Sequence, residues 1–485
     1  MRSRYPDQID KLVAAWTSQA ELIDAVRKIQ QAIGTSSGGD GLLKFPMGAT
    51  VIIAAANSKN KAGAHYVCDG TDDQEEINDA IQSLPDSGGT VLLLEGDYFI
   101  SAPIVINKTG VAIVGQGWAT RIAITAGADC DGIQIDSSAG DIRLPVIAWL
   151  YLYGNKTNNT AGSGIHTFGA NQVYDLLVFH VQVFNFAEHA AFFERGHAFR
   201  IIDCDFESCD QHGVYINNVT DPSLQPTSFS FFGDHMGGNA KSGVWMQGHQ
   251  HEFVCCYMVN NGENGVYIDD ATRYNRLVNC FIDSNGTNGV YTYGQGNQII
   301  GCVISNNQAR GIRVQGAANI VIIGNIIRNN SQEDDSLYDG IELVTSTTDT
   351  KIIGNIIEST TANRHNDGIS MESTVDNTVI YGNSISGYAV NAIRNLSATS
   401  VIADNVGYRT KNGGTATFSG DGSATTFTIA HGLAATPSKV SVTPGSADAR
   451  GDFHVTVDAT NITVTYATAP PSGTDNVVLH WYAEV

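Results

Sequence analysis

The chain is predicted to be all-β, a right-handed parallel β-helix with a short N-terminal α-helical neck and a C-terminal antiparallel β-sandwich. Three observations carry the central part of that reading. From about Arg200 to Tyr408 one pattern recurs eight times at a period of roughly 22 to 30 residues, as in IIDCDFESCDQHGVYIN, LVNCFIDSNGTNGVYTY and VIYGNSISGYAVNAIRN. Two anchors recur inside it. Cys204, Asp234, Cys256, Cys280, Cys302, Asn325, Asn355 and Asn383 mark a first short strand, with Asn405 opening a truncated last turn. Gly213, Gly243, Gly265, Gly289, Gly311, Gly340, Gly368 and Ala392 precede a second, nine residues on in six of the eight units. Fixed internal spacing with variable length elsewhere is the mark of a solenoid, in which insertions fall at loops while strands stack. Finally, apolar residues alternate within the strands (Val214 and Ile216, Val266 and Ile268), so one face of each is buried.

Each unit reads as two short strands and a polar turn. Residues at one rung position then stack about 4.8 Å apart. Asn325, Asn355, Asn383 and Asn405 are expected to form an internal amide ladder, and the cysteines upstream to serve as small buried fillers.

Composition agrees. The chain has 485 residues, 42% of them hydrophobic, with 51 glycines for tight turns and only 11 prolines. A net charge of -22 disfavours nucleic acid as a partner. Of the eight cysteines, those that share a rung position cannot all bridge one another, so free buried thiols and folding in a reducing compartment are expected. The sequence shows no run of 18 apolar residues and no secretory h-region, so neither membrane insertion nor Sec export is expected.

Residues 1–40 form the expected neck and linker, 41–410 the β-helix and 411–485 the sandwich. In the neck, Leu22, Val26, Ile29 and Ile33 recur at nearly heptad spacing, continuing a seam from Ile9, Leu12 and Trp16. A helix this short needs partner copies, and a parallel homotrimer is expected, the alternative being a single helix docked on its own chain. The opening RYPDQIDKLVAAWTSQAELIDAVRKIQQAIGT resembles the amino-terminal segment of bacteriophage tail proteins. Gly34–Gly41 is a flexible linker.

In DGTDDQEEINDAIQSLPDSGGTVLLLEGDYFI, Thr71 or Asp72 should cap a helix near 73–84 that buries Ile77, Ala80, Ile81 and Leu84, before Pro85 and Gly88-Gly89 end it. This string resembles the start of the pectate-lyase-like β-helix superfamily, departing from it at Glu95, where that superfamily usually has proline. Residues 140–163 and 218–228 read as the main insertions. After Gly413, strict alternation through FTI, VSV, FHVTV, ITVTY and VVLHWY predicts the sandwich, and this region resembles the carboxy-terminal module of phage tail fibres and spikes.

Two residues after each glycine anchor the side chain should point outward. Tyr215, Trp245, Tyr267 and Tyr291 then line up as rings suited to the apolar faces of sugars, with Asp269 on the adjacent row. The same stripe would also suit packing against a neighbouring chain. Acids crowd the same coils, and hydrolysis of a glycosidic bond needs two carboxyls about 5 to 9.5 Å apart. Glu207 and Asp234, in adjacent coils, are the candidate pair, with Asp205 or Asp210 as substitutes. No zinc spacing, Walker motif or nucleophile elbow is present, so no metal site or cofactor is expected. Turn Asp and Asn residues are able to take Ca²⁺, but nothing gathers them into a loop motif. Together the resemblances imply a phage tailspike or tail fibre: made in the host cytoplasm, carried on the virion tail, held to other tail proteins through its N-terminal segment, and recognising and hydrolysing a bacterial surface polysaccharide. The alternatives are a non-catalytic structural or receptor-binding tail component, and a polysaccharide lyase or epimerase.

Overall fold

The computed structural model describes residues 49–217, 224–360 and 364–485. The expected neck and linker therefore lie outside the described residues, as does most of the 218–228 insertion.

Each coil holds three short strands, not two. In one coil these are Arg200–Ile202, Asp205–Glu207 and Val214–Ile216. The first anchor is a corner between the first two. Just before it, Asp203, Gly233, Cys255, Asn279, Gly301, Gly324, Gly354, Gly382 and Asp404 all adopt left-handed backbone, with φ between 53° and 72°. One such residue turns the chain within a single step and aims the next side chain inward. Because this bend is so short, period counting merges the two strands into one.

Every strand of the coils pairs in parallel with its counterpart one coil on, as Val214–Ile216 does with Val244–Met246 and then Val266–Ile268. Among the described residues this builds a 25-stranded sheet, creased along the corner into two faces, and a 12-stranded sheet made of the third strands. Their inner faces share one continuous core of fully buried side chains, among them Ile201, Phe206, Val214, Met236, Ile282 and Ile327. At about 25 cal/mol per Å² of apolar surface, this burial is what holds successive coils together.

The corner ladder is present. Asn325 donates its backbone N–H and its Nδ2–H to Asn355 Oδ1, both at 2.9 Å, and Asn355 does the same to Asn383, and Asn383 to Asn405. Cys204, Cys256, Cys280 and Cys302 are buried at the same position, and all eight cysteines are free. A second ladder, five residues on, was not anticipated. Cys209 is followed by Asn239, Asn261, Asn285, Asn307 and Asn330, each fully or almost fully buried and each accepting from the coil before.

The glycine row is explained by space rather than by backbone angle. A Cβ on Gly265 would lie 2.4 Å from Ile282 Cγ2 and 2.8 Å from both Asn285 Nδ2 and the Gly289 carbonyl. The same crowding recurs up the row, and the last anchor, Ala392, stands where no further glycine stacks on it. Gly265→Ala is therefore expected to cost about 1–3 kcal/mol through overpacking, read as a lower urea midpoint.

At the N-terminal end the helix Gln74–Ser83 buries Ile77, Ala80 and Ile81 against the first coils. Its N-cap is Asp73 rather than Thr71 or Asp72, and the Asp73 carboxylate does not cap the helix. It accepts instead from the N–H groups of Gly70 and Phe99, at 2.8 and 2.7 Å, tying the helix to the first full coil. Residues 140–163 are not simply an insertion, since Val146–Tyr153 is a strand paired with Leu177–Phe184. The C-terminal strands form two three-stranded antiparallel sheets around Phe427, Ile429, Ile462, Val464, Val477 and Leu479. Among the described residues no helix is long and apolar enough to cross a membrane.

Candidate functional site

Side chains on these strands alternate in and out, so the register decides which outward residues become neighbours. On the second face, pairing brings Tyr151, Gln182, Asp205, His235, Tyr257 and Phe281 into one outward row. Tyr153, Phe184 and Glu207 form the row beside it, followed by Gly237. The glycine matters. A Cβ there would sit 2.4 Å from His235 Cε1, so only a bare backbone leaves the imidazole room to lean across it. In that position His235 Nδ1 lies 2.7 Å from Glu207 Oε1. Gln182 Nε2 donates to Asp205 Oδ2 at 2.8 Å. One oxygen of each carboxyl and one nitrogen of His235 lie within 4.8 Å of one another.

Aromatic side chains bracket this centre along the axis. On one side Trp118, carried out on the 3-10 turn Gly117–Ala119 and 71% exposed, stacks on Tyr151 with ring centroids 5.4 Å apart. Its overhang walls a groove of about 410 Å³ lined by Tyr151, Gln182, Phe184, Asp205 and Glu207. On the other side Tyr257 and Phe281 continue the row, centroids 6.1 Å apart.

The surroundings of Asp205 favour its neutral form. Burial raises the pKa of Asp205, the Gln182 hydrogen bond opposes this, and the nearby Glu207 charge adds to it; the net shift is upward. The contact with Glu207 raises the pKa of His235 against the opposing effect of burial, favouring an imidazolium that pairs with Glu207. The same three side chains are spaced closely enough to share a metal ion, as are Cys68, Asp73 and Glu76 under the capping helix. In the latter group Asp73 is already committed to two backbone N–H groups.

Asp234 is not part of this centre. It occupies the corner ladder, fully buried, where its Oδ1 accepts the Cys204 N–H at 2.8 Å. Burial pushes its pKa well up, favouring the neutral acid, the closest carboxyl counterpart of the asparagines that follow it. The pair expected from adjacent coils, Glu207 with Asp234, is thus not formed, because the side chain beside the αL corner must point inward. Asp205 stands next to Glu207 instead. His235, Trp118, Tyr151 and Gln182 went unassigned in the sequence. Counting one residue past each corner anchor would have found His235 and Tyr257 beside Asp205.

The outward stripe of the 12-stranded sheet is present in its expected order, with Tyr215, Trp245, Tyr267 and Tyr291 paired rung to rung. Trp245 and Tyr267 stack within 9° at 5.8 Å. Asp269 accepts from Gln247 Nε2 at 2.8 Å on the neighbouring row. These rings, however, belong to a different sheet from Asp205 and Glu207, so the platform and the acids expected on one face are separated by the turn at 208–213.

Comparison with known proteins fits this architecture. A family model described as right handed beta helix region matches residues 189–357. The body of the chain is a right-handed parallel β-helix. Among solved structures, it resembles the A-module of mannuronan C-5 epimerase AlgE6 from Azotobacter vinelandii, at 18% identity over 70% of this chain and 96% of that one, with a TM-score of 0.59. It resembles the tailspike protein gp49 of Pseudomonas phage LKA1 at 10% identity, over 84% and 91%, with a TM-score of 0.52. DFA-IIIase from Arthrobacter chlorophenolicus aligns at 13% identity over 69% and 94%, with a TM-score of 0.51. No curated protein sequence matches the chain. At these identities the likeness establishes the β-helix and leaves the chemistry to the groove.

Proposed function

We propose that the protein is a phage tail component, a homotrimer attached to other tail proteins through its N-terminal segment, that binds a bacterial surface polysaccharide and hydrolyses it in the groove of the second face. The observation that carries this reading is the centre Asp205–Glu207–His235, set midway along an outward row with aromatic rings on both sides. A chain laid along the axis would place sugar faces on Trp118 and Tyr151 to one side and on Tyr257 to the other, with the bond between them over the carboxyls.

The roles follow from the surroundings. Asp205, with its raised pKa, is the acid that protonates the leaving oxygen. Glu207, held at 2.7 Å by His235 Nδ1, is its partner. Oxygens of the two carboxyls approach to within 4.8 Å, close for a water between them, which favours a retaining course with Glu207 as nucleophile. The resemblance of the neck and of the terminal module to phage tail proteins supports the setting, and a β-helix is known to carry a phage tailspike.

The test is to expose the full chain to an array of purified bacterial O-antigen and capsular polysaccharides and follow products on those it binds. New reducing ends support hydrolysis. Absorbance from an unsaturated uronate would replace this chemistry with elimination, and binding without products would leave a receptor binder. The rate should also fall as pH rises and Asp205 loses its proton. Gln182→Leu removes a hydrogen bond that favours the ionised carboxyl, so the pKa of Asp205 rises further and the alkaline limb of the pH–rate profile moves to higher pH.

A further inference from the structure

The ring stripe on the 12-stranded sheet is left without a part in that reaction, and its geometry gives it one of its own. His166, Phe192, Tyr215, Trp245, Tyr267 and Tyr291 occupy six successive coils, and neighbouring ring centroids lie 4.5, 5.0, 4.8, 5.8 and 5.4 Å apart. With rungs about 4.8 Å apart, the ribbon is about 24 Å long, and three strand residues make it about 10 Å wide. Its ends are fixed by ion pairs. His166 Nδ1 meets Asp131 Oδ2 at 2.9 Å, and past Tyr291 the Arg313 guanidinium lies 5.1 Å above that ring and 3.2 Å from Glu342. Beside the rings runs a second row of hydrogen-bonding groups, Asn217, Gln247 and Asp269.

We infer that this face is a second saccharide-binding site, one that holds a polymer strand without cleaving it. The inference rests on the reading that the ligand is a polysaccharide. Three features select that occupant. The ribbon covers about 240 Å², well short of the roughly 800 Å² per partner that a stable protein interface buries, so the rings by themselves do not supply a subunit interface. Its cross-section, one ring beside one amide or carboxylate on each central rung, repeats along the axis as a sugar chain repeats apolar faces and hydroxyl edges. Lastly, over the central rungs from Tyr215 to Tyr291 the side row carries a single carboxylate, Asp269, while the acids at the His166 end, Asp131 and Glu194, are both turned onto the His166 ring, at 2.9 and 3.8 Å. Two faces holding one polymer raise its effective concentration at the groove.

The experiment compares the full-chain protein, Trp245→Ala and Glu207→Gln on the polysaccharides bound in the array, and on short fragments of the same polymers. Trp245→Ala should weaken polymer binding at least tenfold while turning over short fragments within twofold of the unmodified rate. Glu207→Gln should do the reverse. If Trp245→Ala binds polymer as tightly as the unmodified protein, or loses turnover of short fragments, the second site is wrong and the proposed function stands. A change in oligomeric mass on Trp245→Ala, seen by light scattering, would make the ribbon a subunit interface and also overturn it. Tyr267→Ser serves as an independent variant, with thermal unfolding confirming that each folds. If the unmodified protein binds nothing on the array, both readings fall together.

Discussion

Glu207→Gln is expected to lower the rate of reducing-end release by at least about 10³-fold while leaving polysaccharide affinity within about threefold. The amide keeps the shape of the side chain but removes the charge that would stabilise an oxocarbenium-like transition state and the nucleophile that would trap it. Glu207 is only partly buried and its ion pair with His235 is about one-third exposed, so replacing the charge by an amide costs the fold little. The measurement is single-turnover release of reducing ends beside equilibrium binding of the same polymer. Undiminished turnover would remove Glu207 and the groove from the mechanism together. His235→Gln provides the contrast, since His235 touches Glu207 rather than a bond to be broken and acts as a positioning residue.

The second large effect is on stability. Asn285→Ala should lower the unfolding free energy by about 3–5 kcal/mol, because four groups lose a partner where water cannot follow. Asn285 Oδ1 accepts the Asn261 N–H at 3.1 Å and its Nδ2–H at 3.0 Å. Asn285 Nδ2 donates to Met258 O at 3.0 Å and Asn307 Oδ1 at 2.9 Å. The side chain is 0% exposed. Gln308→Ala, on the exposed surface nearby, should change stability by less than about 0.5 kcal/mol. Urea unfolding followed by circular dichroism decides between them. Since each coil contacts only its neighbours, the damage should appear as an earlier local transition near residues 258–307 rather than a uniform shift.

Much of the body was readable in advance because a solenoid writes its contacts into its period. The outward order Tyr215, Trp245, Tyr267 and Tyr291, which follows from counting two past each glycine, is the order in which the strands pair. The corner asparagines and the buried cysteines followed from the same count. The second asparagine ladder is equally periodic, five residues beyond the first, but it lies in the polar turn between the second and third strands, where spacing alone does not tell a buried amide from a solvated one.

The acids were only half legible. Asp205, Glu207 and Asp234 are close in sequence register, and composition cannot tell an inward carboxyl from an outward one. That depends on Asp203 and Gly233 turning through the left-handed region, which puts Cys204 and Asp234 inside and Asp205 outside. Trp118 and Tyr151 lie upstream of the clear repeats and reach the site only through the pairing of Thr120–Ile124 with Val146–Tyr153 and of that strand with Leu177–Phe184.

From the letters alone came the stacking axis, the buried face and the order of the rungs, since these depend on spacing and hydrophobic alternation between adjacent coils. Which outward rows share a face was settled only in three dimensions. The angle between strands within a coil is set by single left-handed corners, and a one-residue change of direction leaves the period untouched while moving a side chain from core to surface.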